Sequence, residues 1–103
     1  MSDIEKIIQW IESGKQLGKV FSFECNGKTI WSSVGIQKWN DIYKVYVDEI
    51  EDEKMGDEEY LRNEIQKFVN ISDAISYIDS KTQMNSMDLR PCKGQKVFNP
   101  NFE

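Results

Sequence analysis

The chain has 103 residues, 39% of them hydrophobic and 12% aromatic, with 30% charged and a formal net charge of −5. That length makes one domain, residues 1–103, and the balance of apolar and charged residues belongs to a folded globular protein. An acidic excess with no basic stripe argues against a phosphate-neutralising grip on nucleic acid, and the absence of histidine excludes Ser-His-Asp and Cys-His nucleophilic sites.

The opening Met1-Ser2-Asp3-Ile4-Glu5-Lys6 lacks a basic stretch followed by an apolar run, and no apolar window approaches the ~20 residues a membrane span needs. The expectation is therefore a cytoplasmic protein with no membrane contact. Its two cysteines, Cys25 and Cys92, then read as reduced thiols. Two cysteines without histidine cannot build a structural zinc site. No metal or cofactor is expected.

Ser2 and Glu5 form a capping-box signature ahead of Ile4, Ile7, Ile8 and Ile11, which recur at helical spacing. Gly14 stops that helix. Val20 to Cys25 alternates, Asn26-Gly27 supplies two residues tolerant of positive φ, and Lys28 to Val34 returns as a hairpin partner. A two-residue loop pairs Cys25 with Lys28, Phe23 with Ile30 and Phe21 with Ser32. Tyr43 to Ile50 makes a third strand, with Tyr43, Val45 and Val47 on one face. Gly35 to Ile42 either continues the second strand or forms a loop that carries Trp39.

Leu61, Ile65, Phe68 and Val69 fit a helix from Asp57, or else a short helix at Glu58–Asn63 followed by a strand from Ile65 to Val69. The second reading is preferred, because Asn70-Ile71-Ser72 breaks the helix period and Ser72 is a good cap for a helix through Ala74, Ile75 and Ile78. The tail, 83–103, is loop-rich, with Lys96-Val97-Phe98 as a short edge strand. These elements give an α+β fold: an antiparallel sheet of three to five strands, with an N-terminal helix and a later helix on one face.

Two tempting motifs fail. Gly14 to Val20 lacks the glycine spacing, the metal-binding hydroxyl and the strand-to-helix order of a phosphate loop. The acidic stretch, read as a calcium loop from Asp48 or from Glu51, puts apolar or basic residues at ligand positions. Cys25 reads as a small buried hydrophobe at a strand end, and Cys92 as an inert exposed thiol.

The charge is unevenly placed. Asp48 to Glu59 holds eight acids (Asp48, Glu49, Glu51, Asp52, Glu53, Asp57, Glu58 and Glu59) against one lysine, Lys54. This stretch is either a solvated loop feeding acids to a helix N-terminus or a recognition patch that steers a basic protein. Tyr46, Tyr60 and Met55, if exposed beside the acids, would be its apolar anchors. Trp39 is either a core residue or an exposed anchor.

These features resemble the small acidic immunity proteins of bacterial contact-dependent growth inhibition and related polymorphic toxin systems. Locally, Phe68 to Ile78 resembles their strand-then-capped-helix segment, and Lys93-Gly94-Gln95-Lys96-Val97-Phe98 resembles their lysine- and glycine-containing tails. The resemblance implies a non-enzymatic protein that binds a basic toxin domain, often a nuclease, and blocks it. Alternatives are a phage-type anti-defence inhibitor, a non-catalytic adaptor subunit and an enzyme using carboxylates as acid and base.

Overall fold

A computed structural model describes residues 3–57, 59–92 and 97–99. Its chain order is α1 (Asp3–Glu12), β1 (Leu17–Cys25), β2 (Lys28–Trp39), β3 (Ile42–Glu51), a 3-10 helix (Asp52–Asp57), β4 (Tyr60–Phe68), α2 (Ile71–Lys81), a 3-10 turn (Ser86–Asp88) and β5 (Arg90–Pro91). The five strands form one antiparallel sheet in the order β4-β3-β2-β1-β5. The fold is α+β, as the sequence implies.

Local chemistry sets the boundaries. Gly14 sits at φ +92. Its N–H reaches Ile11 O at 3.0 Å and the Lys15 N–H reaches Trp10 O at 3.2 Å, the paired bonds that close a helix at a left-handed residue. Ser2, half of the expected capping box, lies outside the described residues. Asn26 and Gly27 both take positive φ, 52 and 78, and the register Cys25↔Lys28, Phe23↔Ile30, Phe21↔Ser32 follows. A second tight turn at Asn40 (φ 53) and Asp41 (φ 66) joins β2 to β3, so Gly35 to Trp39 continues the strand.

Three expectations are corrected. There is no helix at Glu58–Asn63 among the described residues: β4 begins at Tyr60, paired to Ile50, and a bulge between Glu49 and Ile50 absorbs the register shift. Ser72 lies within the first turn of α2 and does not cap it; the cap is extended Asn70, whose carbonyl accepts the Ala74 N–H at 3.2 Å. Val97 and Phe98 make no strand, and Lys96 lies outside the described residues; the short edge strand is β5.

Strand alternation sorts the side chains. On the helix-covered face, Leu17, Val34, Ile36, Val45 and Val47 are fully buried with Ile11 of α1 and Ala74 and Ile78 of α2. Each large aliphatic chain so buried contributes roughly 1.5–3 kcal/mol. On the opposite face, Gly18, Gly35, Tyr46 and Ile65 lie in one cross-strand row. The missing side chains of the two glycines make a depression, and Phe98 fills it, stacked on Tyr46 at 5.5 Å between ring centroids. Gln16 holds this tail in place: its Nε2 donates to Phe98 O (2.8 Å) and its Oε1 accepts from Val97 N (2.7 Å). No helix among the described residues is long and apolar enough to cross a membrane.

Candidate protein-binding surface

Three of the eight acids are built into the sheet. Alternation turns Asp48 to the open face, where its Oδ1 accepts the Ser33 N–H (2.8 Å) and its Oδ2 the Tyr46 hydroxyl (2.9 Å). Burial, reinforced by the Asp48 bond, pushes the Tyr46 hydroxyl well above its ordinary pKa. Glu49 and Glu51 turn to the helix-covered face. Glu49 pairs with Arg62 at 3.8 Å and Glu51 with Lys28 at 3.5 Å. All three β3 acids are half-buried and already engaged. They are structural in position, not a free anionic surface.

The chain then leaves the sheet as the 3-10 helix, and the acids become exposed. Asp52 starts it and accepts the Trp31 indole N–H at 2.8 Å. Glu53, Asp57 and Glu59 are exposed, and Lys54 reaches Glu59 at 3.6 Å. That exposed pair adds little stability, and Glu53 and Asp57 have no ion pair among the described residues. Beside them, where β4 begins at the sheet edge, Tyr60 is 45% exposed and Leu61 60%. A small hollow of about 150 Å³ between this segment and the Asn26-Gly27 turn is lined by Gly27, Lys28, Thr29, Glu51, Asp52 and Glu53.

The surface is thus an acidic tip at one end of the sheet, flanked by two apolar side chains. Of the expected residues, it brings together Asp52, Glu53, Asp57, Glu59 and Tyr60, with the paired Glu51 at its base in the wall of the hollow. Glu58 lies outside the described residues, and of Met55 only the backbone is described. Trp39 does not join the tip. It is half-buried at the far end of β2, paired with Ile42, about 30 Å away by strand rise. Tyr46 faces Phe98 on the open face instead of flanking the exposed acids.

Trp31, Leu61 and the cations Lys28 and Arg62 were not singled out from sequence. The Asn26-Gly27 register carries a signal for two of them, because it places Lys28 and Trp31 at the end of β2 nearest the acids. The thiols differ from expectation as well. Cys25 is exposed beside the turn, since the strand end it occupies has no layer over it. Cys92 is half-buried, its Sγ 3.7 Å from Gln16 Oε1 and its N–H on Gln16 O at 2.8 Å.

A second polar cluster joins β4 to α2. Arg62 donates to Glu64 Oε1 (2.9 Å), the Tyr77 hydroxyl (2.7 Å) and the Lys81 carbonyl (2.5 Å), and Tyr77 donates to Glu64. The bond from Arg62, then that from Tyr77, holds the Glu64 carboxyl below its ordinary pKa. This cluster fixes α2 over the edge strand next to the tip. Among the described residues no group of three or more His, Cys, Asp or Glu is placed to hold a metal ion.

Comparison of the chain with protein-family models, with curated proteins and with solved structures finds no match in any of the three.

Proposed function

We propose that the chain acts by binding another protein through its acidic tip, as an immunity protein that neutralises a basic toxin domain, in keeping with a cytoplasmic, non-enzymatic role. The observation that carries this reading is the tip itself. Glu53, Asp57 and Glu59 are exposed beside Tyr60 and Leu61 on a segment whose first residue, Asp52, is held by the Trp31 indole N–H. Clustered exposed acids raise the encounter rate with a cationic partner, and adjacent aromatic and aliphatic side chains supply contact that charge alone lacks. A nuclease cleft is built to hold phosphates, so an anionic projection suits it. A phage-type anti-defence inhibitor would use the same surface on a nuclease complex, and only the partner's identity separates the two. In an adaptor subunit, Tyr60 and Leu61 would dominate binding and salt would matter little.

The test is co-expression with a basic toxin domain captured on this chain. Growth should be restored by the wild type and not by E53K/D57K/E59K. Full rescue by that variant would remove the tip from the interaction.

A further inference from the structure

At the end of the sheet away from the acidic tip, where Gly14 closes α1 and β5 pairs with the start of β1, lies a cavity of about 710 Å³. Its size is that of a small-molecule site, roughly 300–1,000 Å³. Trp10, Lys15, Gln16, Gln37, Arg90 and Cys92 contribute to its wall. The described lining contains two cations and no acid, in a chain where acids outnumber bases 18 to 13.

The lining's hydrogen-bonding balance is one-sided. Gln37 spends its side chain on Gly14 O (3.1 Å) and on the amide of Gln16 (3.0 Å). Gln16 is saturated by Gln37, Val97 and Phe98. What remains is donors. Lys15 and Arg90 are exposed and form no ion pair among the described residues. Arg90 donates from Nη1 to Met87 O (2.9 Å) and Leu89 O (2.7 Å), and its other N–H groups have no hydrogen-bond partner among the described residues. Trp10 is half-buried and lines the cavity, with Lys6 Nζ over its ring at 5.2 Å from the centroid. Cationic donors beside an aromatic side chain, with no carboxylate among the described lining residues, select an anion attached to a flat apolar body.

We propose that this cavity binds a small planar organic anion, a ring bearing a carboxylate or phosphate, with Lys15 and Arg90 taking the anionic group and Trp10 the ring. The site is separate from the acidic tip: the Ile30↔Glu51 row and the Leu17↔Ile36 row are six residues apart on β2, about 20 Å by strand rise.

The experiment is an NMR titration of the full chain at fixed ionic strength, following the Trp10 indole N–H, assigned with W10F. The probes are adenosine 5′-monophosphate, benzoate and, as a neutral ring, adenosine. A saturable shift is expected with adenosine 5′-monophosphate, with benzoate, or with both, and the stronger of the two identifies the anionic group. Adenosine should bind at least about tenfold more weakly than its phosphate, and K15A/R90A should weaken the anion by about tenfold or more while core resonances stay in place. No saturable shift at millimolar anion, equal binding of adenosine, or unchanged binding by K15A/R90A would each overturn the assignment. The tip variant E53K/D57K/E59K should bind the probes as the wild type does, so a failure here leaves the tip proposal standing.

Discussion

Trp31 donates its indole N–H to Oδ1 of Asp52 at 2.8 Å, tying the second strand to the first residue of the acidic 3-10 helix. This bond decides whether the exposed acids sit on a positioned turn or a loose one. Replacing Trp31 with Phe keeps a ring and removes the donor. We expect a loss of roughly 0.5–1.5 kcal/mol in stability, at the lower end because the bond is solvent-accessible, and faster amide exchange across Asp52–Asp57. Exchange unchanged in that segment would show that the bond does not organise the tip.

The Arg62–Glu64–Tyr77 cluster gives an acid-side dependence. Because Glu64 titrates below its ordinary value in the folded state, its contribution is present above the unfolded pKa, about 4.3, and is lost as pH falls through the lowered folded value. Urea midpoints should therefore drop as pH falls below about 4, and E64Q should flatten that limb while lowering stability at neutral pH. An E64Q profile parallel to wild type would place the acid sensitivity elsewhere.

Tyr43 gives the alkaline counterpart. Its hydroxyl bonds to Glu12, and that bond, followed by burial, pushes its pKa up to about 12. A raised folded value means that this contribution is whole below the unfolded pKa of about 10 and disappears as pH climbs towards the folded one. Stability should fall across that interval, and Y43F should be less sensitive there, as followed by tyrosinate absorbance alongside unfolding. A wild-type tyrosine titrating with the ordinary value at this position would contradict the geometry.

The glycine row on the open face should resist any side chain. A Cβ on Gly18 would lie 2.7 Å from Val34 O and 2.9 Å from Val97 Cγ2, whereas one on Gly35 would meet Phe98 Cδ1 at 3.0 Å. Backbone yields less than a ring, so G18A should cost more than G35A, within about 1–3 kcal/mol for overpacking. Phe98→Ala, which empties the depression, should cost roughly 3 kcal/mol. Chemical denaturation of the three variants checks the order.

Parts of the architecture were legible because one residue type forced the outcome. Asn26-Gly27 set the first hairpin and its register, and the isoleucines of α1 set its buried face. Asn40-Asp41 turns the chain just as tightly but with a weaker signal, so the run from Gly35 to Ile42 stayed open. β4 was obscured because an edge strand need not alternate. Its helix-side positions carry Arg62 and Glu64 in a polar cluster with Tyr77, while Leu61 stands exposed at the bulge, and the remaining apolar spacing imitates a helix. The candidate surface was legible as a charge excess, but sequence distance hid its division. Alternation along β3 consumed Asp48, Glu49 and Glu51 in internal bonds and left Glu53, Asp57 and Glu59 outside. Trp39 and Tyr46, close to the acids in sequence, are carried away by the strands that hold them.

The most direct test is the association rate of this chain with its captured basic partner domain, measured by stopped flow at low and at near-physiological salt for wild type and E53K/D57K/E59K. If the tip steers binding, the wild-type rate falls by about tenfold or more as salt rises, and the variant is slower and nearly flat. Equal rates and equal salt slopes for the two proteins would contradict it and reduce the exposed acids to a solvated turn.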